Sequence, residues 1–236
     1  MVGDYAEFLR DYLGNGYRQA RRLVKTLAPR QLVSFRMQHT GDPTHWGPEM
    51  IPYEAEAFVD AVDLFEPEAY GRVGDWERVR PGHFTAAYLR GLNPQFPVLW
   101  AEMGLSCWDP SKREATLEAK EQVAEYYEDF HRMLIESRAT GVVFWWYPGG
   151  YRLNEKSDFG VLEPDGTDRP VTETIREWGP KFLESGGLVE PEEWIELKNG
   201  WVPGGIAGRY DQVKESFWGL VEDGKEVGVR FVPEEQ

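Results

Sequence analysis

Four short apolar runs, each separated from the next by helix-forming sequence, constrain this chain more than any other feature. They are Leu32-Val33-Ser34-Phe35-Arg36, Val62-Asp63-Leu64-Phe65, Pro97-Val98-Leu99-Trp100-Ala101-Glu102 and Gly141-Val142-Val143-Phe144-Trp145-Trp146. Their starts fall near residues 32, 62, 97 and 141, close to the repeat of roughly 30 residues or more expected of βα units. The runs are apolar across consecutive positions, as parallel strands buried on both faces require. Residues 4–27 read as an amphipathic helix, with Phe8, Tyr12, Ala20, Leu23, Val24 and Leu27 recurring at near-helical spacing. Further helices are predicted over 54–61, 84–92, 113–137 and 171–183. The order α-β-α-β-α-β-α-β-α specifies an α/β fold with a parallel sheet. A barrel and an open doubly wound sheet show the same alternation, so periodicity alone leaves both open.

Length and charge narrow the function classes. The chain has 236 residues, whereas a complete (β/α)₈ barrel takes about 250. Its formal net charge of -15 repels nucleic acid and anionic membrane surfaces, so neither is expected as a partner. No apolar run approaches the roughly 20 residues of a membrane span, and no signal-peptide profile opens the chain. Cys107 is the only cysteine, which is compatible with a cytoplasmic setting, excludes an intrachain disulfide and rules out a thiolate zinc site. His39, His45, His83 and His131 lack metal-ligand spacing. A metal-dependent hydrolase is therefore disfavoured, and no metal site is expected. The ten tryptophans supply flat apolar rings of the kind sugars stack upon, although a large core uses aromatics too.

Long segments follow three strand ends, at 37–52, 66–82 and 147–168. Loops on that side of parallel strands are where barrel enzymes carry their chemistry. From residue 187 the pattern changes, and Trp194-Ile195-Glu196-Leu197 reads as a short strand before a helix over 206–221. Residues 1–186 are thus read as the main unit and 187–236 as an appendage on its outer helices, with a frayed acidic end.

The most informative stretch is Phe96-Pro97-Val98-Leu99-Trp100-Ala101-Glu102-Met103-Gly104. A carboxylate closing a buried strand is costly unless it is paired, working, or emerging into solvent. The stretch resembles the seventh strand of clan A glycoside hydrolases, the (β/α)₈ group of cellulases, mannanases and β-galactosidases, in which a Glu followed by a small or apolar residue and Gly ends that strand. Gly141-Val142-Val143-Phe144-Trp145-Trp146-Tyr147 is similar to strand eight of that clan. Glu155-Lys156-Ser157-Asp158-Phe159-Gly160-Val161-Leu162, Asp165-Gly166 and Arg169-Pro170 look like its loop into helix eight, as in family 5-like and family 42-like members.

The resemblance implies a retaining hydrolase of β-linked carbohydrate and the C-terminal half of a TIM (β/α)₈ barrel, strands five to eight. Glu102 would be the nucleophile, attacking the anomeric carbon while a second carboxyl about 5–5.5 Å away protonates the leaving oxygen. Tyr70, after Leu64-Phe65-Glu66-Pro67-Glu68-Ala69, would be its hydrogen-bond partner. Trp145 and Trp146 are substrate-stacking candidates, one ring facing the cleft and the other the core by strand alternation. Glu155, Arg36, His39 and His45 are candidates for substrate hydroxyls. Glu66 and Glu68 flank Pro67 and read as solvated loop charges, with one of them facing the cleft as the alternative, and Cys107 reads as inert. The reaction needs no cofactor, and none is suggested.

One departure matters. The clan carries its acid/base in an Asn-Glu pair at the end of strand four, and nothing before Leu32 resembles that strand. Asn154-Glu155 lies in the strand-eight loop and is not assigned the role. The expectation is a fragment lacking the acid/base, inactive by itself and needing the missing N-terminal half as partner. The competing reading is a non-catalytic carbohydrate-binding or scaffold protein of the same fold.

Overall fold

A computed structural model describes residues 2–36, 55–70 and 76–233. Its elements are α1 (Val2–Leu27), β1 (Ser34–Arg36), a 3-10 turn (Ala55–Phe58), β2 (Leu64–Glu66), β3 (Glu68–Tyr70), α2 (Trp76–Val79), α3 (Gly82–Leu92) and β4 (Leu99–Gly104). There follow a hairpin of β5 (Trp108–Asp109) and β6 (Glu114–Ala115), then α4 (Leu117–Glu136), β7 (Gly141–Phe144), α5 (Pro170–Glu184), β8 (Glu193–Lys198), α6 (Gly205–Glu222) and β9 (Val227–Val232).

β1 pairs with β2, β3 with β4, and β4 with β7, all in parallel. Pro67 has no N–H to offer and divides β2 from β3, yet its carbonyl accepts from Ala101 N at 3.0 Å. A parallel bridge between Phe65 and Val98 carries the ladder across the break. Four strand positions therefore lie side by side in chain order, with helical segments in the crossovers. Winding in one direction is barrel topology, whereas a doubly wound sheet reverses its strand order. The fold is the C-terminal half of a (β/α)₈ barrel.

The β4–β7 ladder contains a bulge. Trp100 pairs with Val142 and Met103 with Phe144, so Ala101 and Glu102 together oppose Val143. In a regular strand, residues three apart face opposite ways; the extra residue allows Trp100 and Met103 both to enter the apolar cluster under α4. Trp100 meets Phe130 of α4 edge-on, with ring centroids 5.3 Å apart.

A second cluster joins α3 to the C-terminal residues. Phe84, Tyr88 and Leu89 pack with Ile195, Leu197, Phe217 and Val229. Here the structure adds what the sequence reading lacked: β9 pairs in parallel with β8 across six residue pairs, making residues 193–232 a β-α-β unit. Gly91 of α3 lies where β9 crosses, since a Cβ at that position would sit 2.5 Å from the Val229 carbonyl oxygen. Buried Arg209 donates to the carbonyls of Lys198 at 2.8 Å and Gly200 at 2.6 Å and reaches Glu56 at 3.1 Å.

Three further expectations are corrected. Residues 55–58 form a 3-10 turn rather than a full helix. α4 starts at Leu117 because the β5–β6 hairpin occupies the preceding residues, with Arg113 in the left-handed region at φ 57°. In α1 the stripe of Phe8, Tyr12, Leu23 and Leu27 is exposed, while Ala6 is buried and Leu13 and Tyr17 pack on the core. Among the described residues β1 is an edge strand, paired with β2 alone. Among the described residues, no helix is long and apolar enough to cross a membrane.

α1 is tethered mainly by charge. Asp63 receives Arg21 at 2.6 Å, Lys25 at 2.7 Å and the Val33 N–H at 2.8 Å. Burial raises the Asp63 pKa, but the Lys25, Arg21 and Val33 bonds outweigh it and bring the value from 3.8 to about 2. A depressed carboxylate pKa contributes stability that is present above the unfolded value and lost as pH falls through the folded one. Urea unfolding followed between pH 3.8 and 2 should therefore show falling stability. Asp63→Asn should be less stable at neutral pH and should flatten that fall; an unchanged acid slope would remove Asp63 from the tether.

Candidate active site

Register and the bulge bring four side chains together. Glu68 of β3 stands opposite Glu102 of β4, Ala69 opposite Met103, and Tyr70 opposite Gly104. Ala69 and Met103 turn to the helices, so Glu68, Tyr70 and Glu102 share the other face. The Tyr70 hydroxyl donates to Glu102 Oε2. Arg36, at the end of β1, donates from Nη1 to Glu102 Oε1 at 2.6 Å and sets Nε 2.6 Å from Glu68 Oε1. One guanidinium thus bridges two carboxylates on neighbouring strands. Burial, then the bond to Glu102 and the charges of Glu102 and Glu68, push the Tyr70 hydroxyl well above its usual range, so it stays a proton donor.

Of the two readings left open for Glu68, the structure overturns the solvated charge and places it beside Glu102. Its side chain is 2% exposed against 14% for Glu102. The cause is strand register, which places Glu68 beneath Arg36 and beside Glu102 rather than in the loop that follows. Arg36 itself is more than half exposed.

The second part of the site follows β7. The Trp145 N–H donates to the Met103 carbonyl at 2.8 Å, extending the ladder one residue past Phe144. A Cβ at Gly104 would sit 2.2 Å from the Trp145 carbonyl oxygen, so only glycine lets the two segments approach this closely. The Trp145–Trp146 peptide is cis. Their rings lie 5.2 Å apart, Trp145 part-exposed and Trp146 exposed. The expected split of one core ring and one cleft ring is therefore corrected: β7 ends at Phe144, and strand alternation does not extend to the pair. Arg152 lies 5.0 Å from the Trp145 ring and 4.3 Å from that of Trp146 and pairs with Glu155 at 2.8 Å. Glu155 thus belongs to the tryptophan group through Arg152.

The two groups meet at Phe159, whose ring packs edge-on against Tyr70 at 5.8 Å and whose carbonyl accepts from Trp146 N at 3.2 Å. Beneath it lies a buried pair absent from the sequence-derived site. Arg169 donates to Asp158 through Nη1 at 3.0 Å and Nη2 at 2.8 Å, and to the Gly160 carbonyl at 2.9 Å. Asp158 also accepts from the Gly150 and Gly160 N–H groups. Burial raises the Asp158 pKa, and the Arg169 and backbone bonds reverse the shift to below the ordinary value. Cys107 is buried nearby, its thiol pushed up to about 11 by burial and the Asp158 charge despite Arg169. The Asp158-Phe159-Gly160 and Arg169-Pro170 residues held the signal for this pair, but pairing cannot be read from spacing.

His39 and His45 lie outside the described residues. His83 and His131 are buried, and among the described residues no three His, Cys, Asp or Glu side chains group as a metal-holding set.

This strand order defines half of a (β/α)₈ barrel, with carboxylate and aromatic groups at its strand ends. Solved structures agree on the fold. A GH5_18 protein from Streptomyces cattleya, crystallised with Manβ1-4GlcNAc, matches 93% of this chain over 55% of its own at 16% identity and TM-score 0.63. An exo-β-1,4-mannosidase from Opitutaceae bacterium strain TAV5 matches 93% over 42% of its own chain, at 15% identity and TM-score 0.59. A β-galactosidase from the haloarchaeon Halorubrum lacusprofundi matches 96% over 35% of its own chain, at 14% identity and TM-score 0.62. The chain therefore spans about half the length of the GH5_18 structure, and less of the other two. No protein-family model and no curated protein matches the sequence.

Removing one partner of a buried ion pair strands the other, at a cost of about 3–5 kcal/mol. Asp158→Ala should lower the unfolding free energy by about that amount and alter the near-UV circular dichroism of the tryptophan pair. A loss under about 1 kcal/mol, typical of exposed pairs, would show that the pair does not hold the loop.

Proposed function

We propose that this chain carries the nucleophile half of a retaining glycoside hydrolase site for β-linked carbohydrate. The observation that carries the reading is Glu102, held at the end of a barrel strand by Tyr70 and Arg36. Tyr70 and Arg36 orient the carboxylate, and Glu102 attacks the anomeric carbon as the bond to the leaving oxygen breaks. This yields a glycosyl ester that water then hydrolyses. The part-exposed Trp145–Trp146 surface supplies apolar area for a sugar face, and Arg152 and Glu155 supply groups for its hydroxyls.

Glu68 does not serve as the acid. It is 2% exposed, with Arg36 against its carboxylate, and cannot reach a glycosidic oxygen. The acid belongs to the barrel half that this chain does not span, and the partner is that half. The GH5_18 structure with Manβ1-4GlcNAc and the mannosidase favour a β-mannoside among the possible substrates.

One observation favours a second reading, a carbohydrate-binding protein of the same fold. Both oxygens of Glu102 are already taken by the chain's own donors. An activated substrate separates the two, because a dinitrophenolate leaves without an acid. Treatment with 2,4-dinitrophenyl 2-deoxy-2-fluoro-β-mannoside should attach one fluoroglycosyl group to the Glu102 peptide, seen by mass spectrometry, and none in Glu102→Gln. Saturable binding of Manβ1-4GlcNAc with no labelling would instead establish the binding protein. Neither labelling nor binding would overturn both readings.

A further inference from the structure

A cavity of about 150 Å³ opens beside α3, where β9 and the residues before β8 lie against the helix. An apolar cavity of roughly this size in another protein takes a benzene ring. Its walls are mixed, with Leu188, Val189 and Trp194 on the apolar side. On the polar side stand two guanidiniums, Arg90 and Arg138.

Among the described residues, only Arg138 of the two forms an ion pair. Arg90 donates to two backbone carbonyls, Ser137 at 2.6 Å and Arg138 at 3.3 Å. Arg138 donates to the Ser185 carbonyl at 2.9 Å and pairs with Glu226 at 2.7 Å. Among the described residues, Glu226 is thus the one carboxylate paired with either cation, while Glu190 lines the cavity from an exposed position. Burial brings the Arg90 pKa down to about 10, with Glu226 opposing that shift and Arg138 adding to it. Among the described residues, part-buried Arg90 therefore stands in the cavity wall with backbone carbonyls, and no carboxylate, as its hydrogen-bond partners.

Two buried nitrogens at the same place have no hydrogen-bond partner among the described residues, His83 Nδ1 and Arg138 Nε. His83 is 7% exposed and lines the cavity. Its ring is fixed edge-on to Phe217 and Trp218. Burial, with the Arg90 and Arg138 charges, lowers its pKa to about 3. The ring is therefore neutral near pH 7 and keeps one N–H to donate. Buried polar groups normally find partners, and an orphan calls for an explanation.

We propose that this cavity binds a small organic anion, a carboxylate attached to an apolar body of ring size. The carboxylate oxygens take the place facing Arg90, Arg138 and His83, and the apolar body lies along Val189 and Trp194. Free phosphate or sulfate would satisfy the charge but leave the apolar wall unused. The inference is independent of the glycosidase reading.

Benzoate is the probe. Calorimetric titration of the whole chain should show saturable one-to-one binding, at least tenfold weaker for benzamide, which has the same shape without the charge. Val189→Trp and Leu188→Trp, at exposed positions beside the cavity, should each weaken benzoate binding tenfold or more by filling it. In the unaltered chain, the His83 ring resonances should shift as benzoate is added. Absence of saturable binding, equal affinity for benzamide, full affinity in both filled variants, or unmoved His83 resonances would each overturn the proposal.

Discussion

One extra residue in β4 governs the geometry of the site. Had the strand run without a bulge, Trp100 and Met103 would point to opposite faces, and one of two large apolar side chains would leave the core. With Ala101 and Glu102 together opposite Val143, both enter the cluster beneath α4 and Glu102 turns to the other face. The aim of the carboxylate is therefore coupled to the burial of two neighbours. Fully burying a side chain of that class is worth about 1.5–3 kcal/mol, a strong reason for the strand to keep this form.

Charge then distributes itself around that carboxylate. Two acidic groups on adjacent strands would repel each other in a poorly solvated place, and Arg36 between them relieves the repulsion. Tyr70 donates to the same carboxylate. The loop after β7 is organised by a different device. A buried guanidinium satisfies Asp158 and the Gly160 carbonyl at once, and a Cβ at Gly160 would fall 2.2 Å from Gly149. The segment carrying the tryptophans is thus pinned at its base while its rings remain open to solvent.

The C-terminal β-α-β unit shares its apolar cluster with α3 rather than enclosing one of its own. Where unit and helix meet, Gly91 permits the closest approach of β9, and the cavity lined by Arg90, Arg138 and His83 opens beside it. α1 makes the opposite contrast. Its aromatic stripe lies in solvent, and ion pairs to Asp60 and Asp63 hold its other side.

The sequence by itself determined the alternation of helices and buried strands, and with it the parallel α/β class, because consecutive apolar residues in short runs have few other stable arrangements. It also marked Glu102, Trp145 and Trp146, since a strand-end carboxylate and paired aromatics stand out from their neighbours, and Arg36 by its place at a strand end, while Tyr70 was marked through the resemblance to clan A and Glu155 by its place in the loop that resembles that clan's. It carried a signal for β9 in Val227-Gly228-Val229-Arg230-Phe231-Val232 as well, obscured by the acidic residues that follow. Only the tertiary structure decided between barrel and open sheet, because winding direction depends on which strands become neighbours. It alone buried Glu68, joined Asp158 to Arg169 and set both tryptophans outside the core. For the barrel and for Glu68 the deciding quantity is a distance between segments far apart in the chain, and local propensity carries no information about such distances.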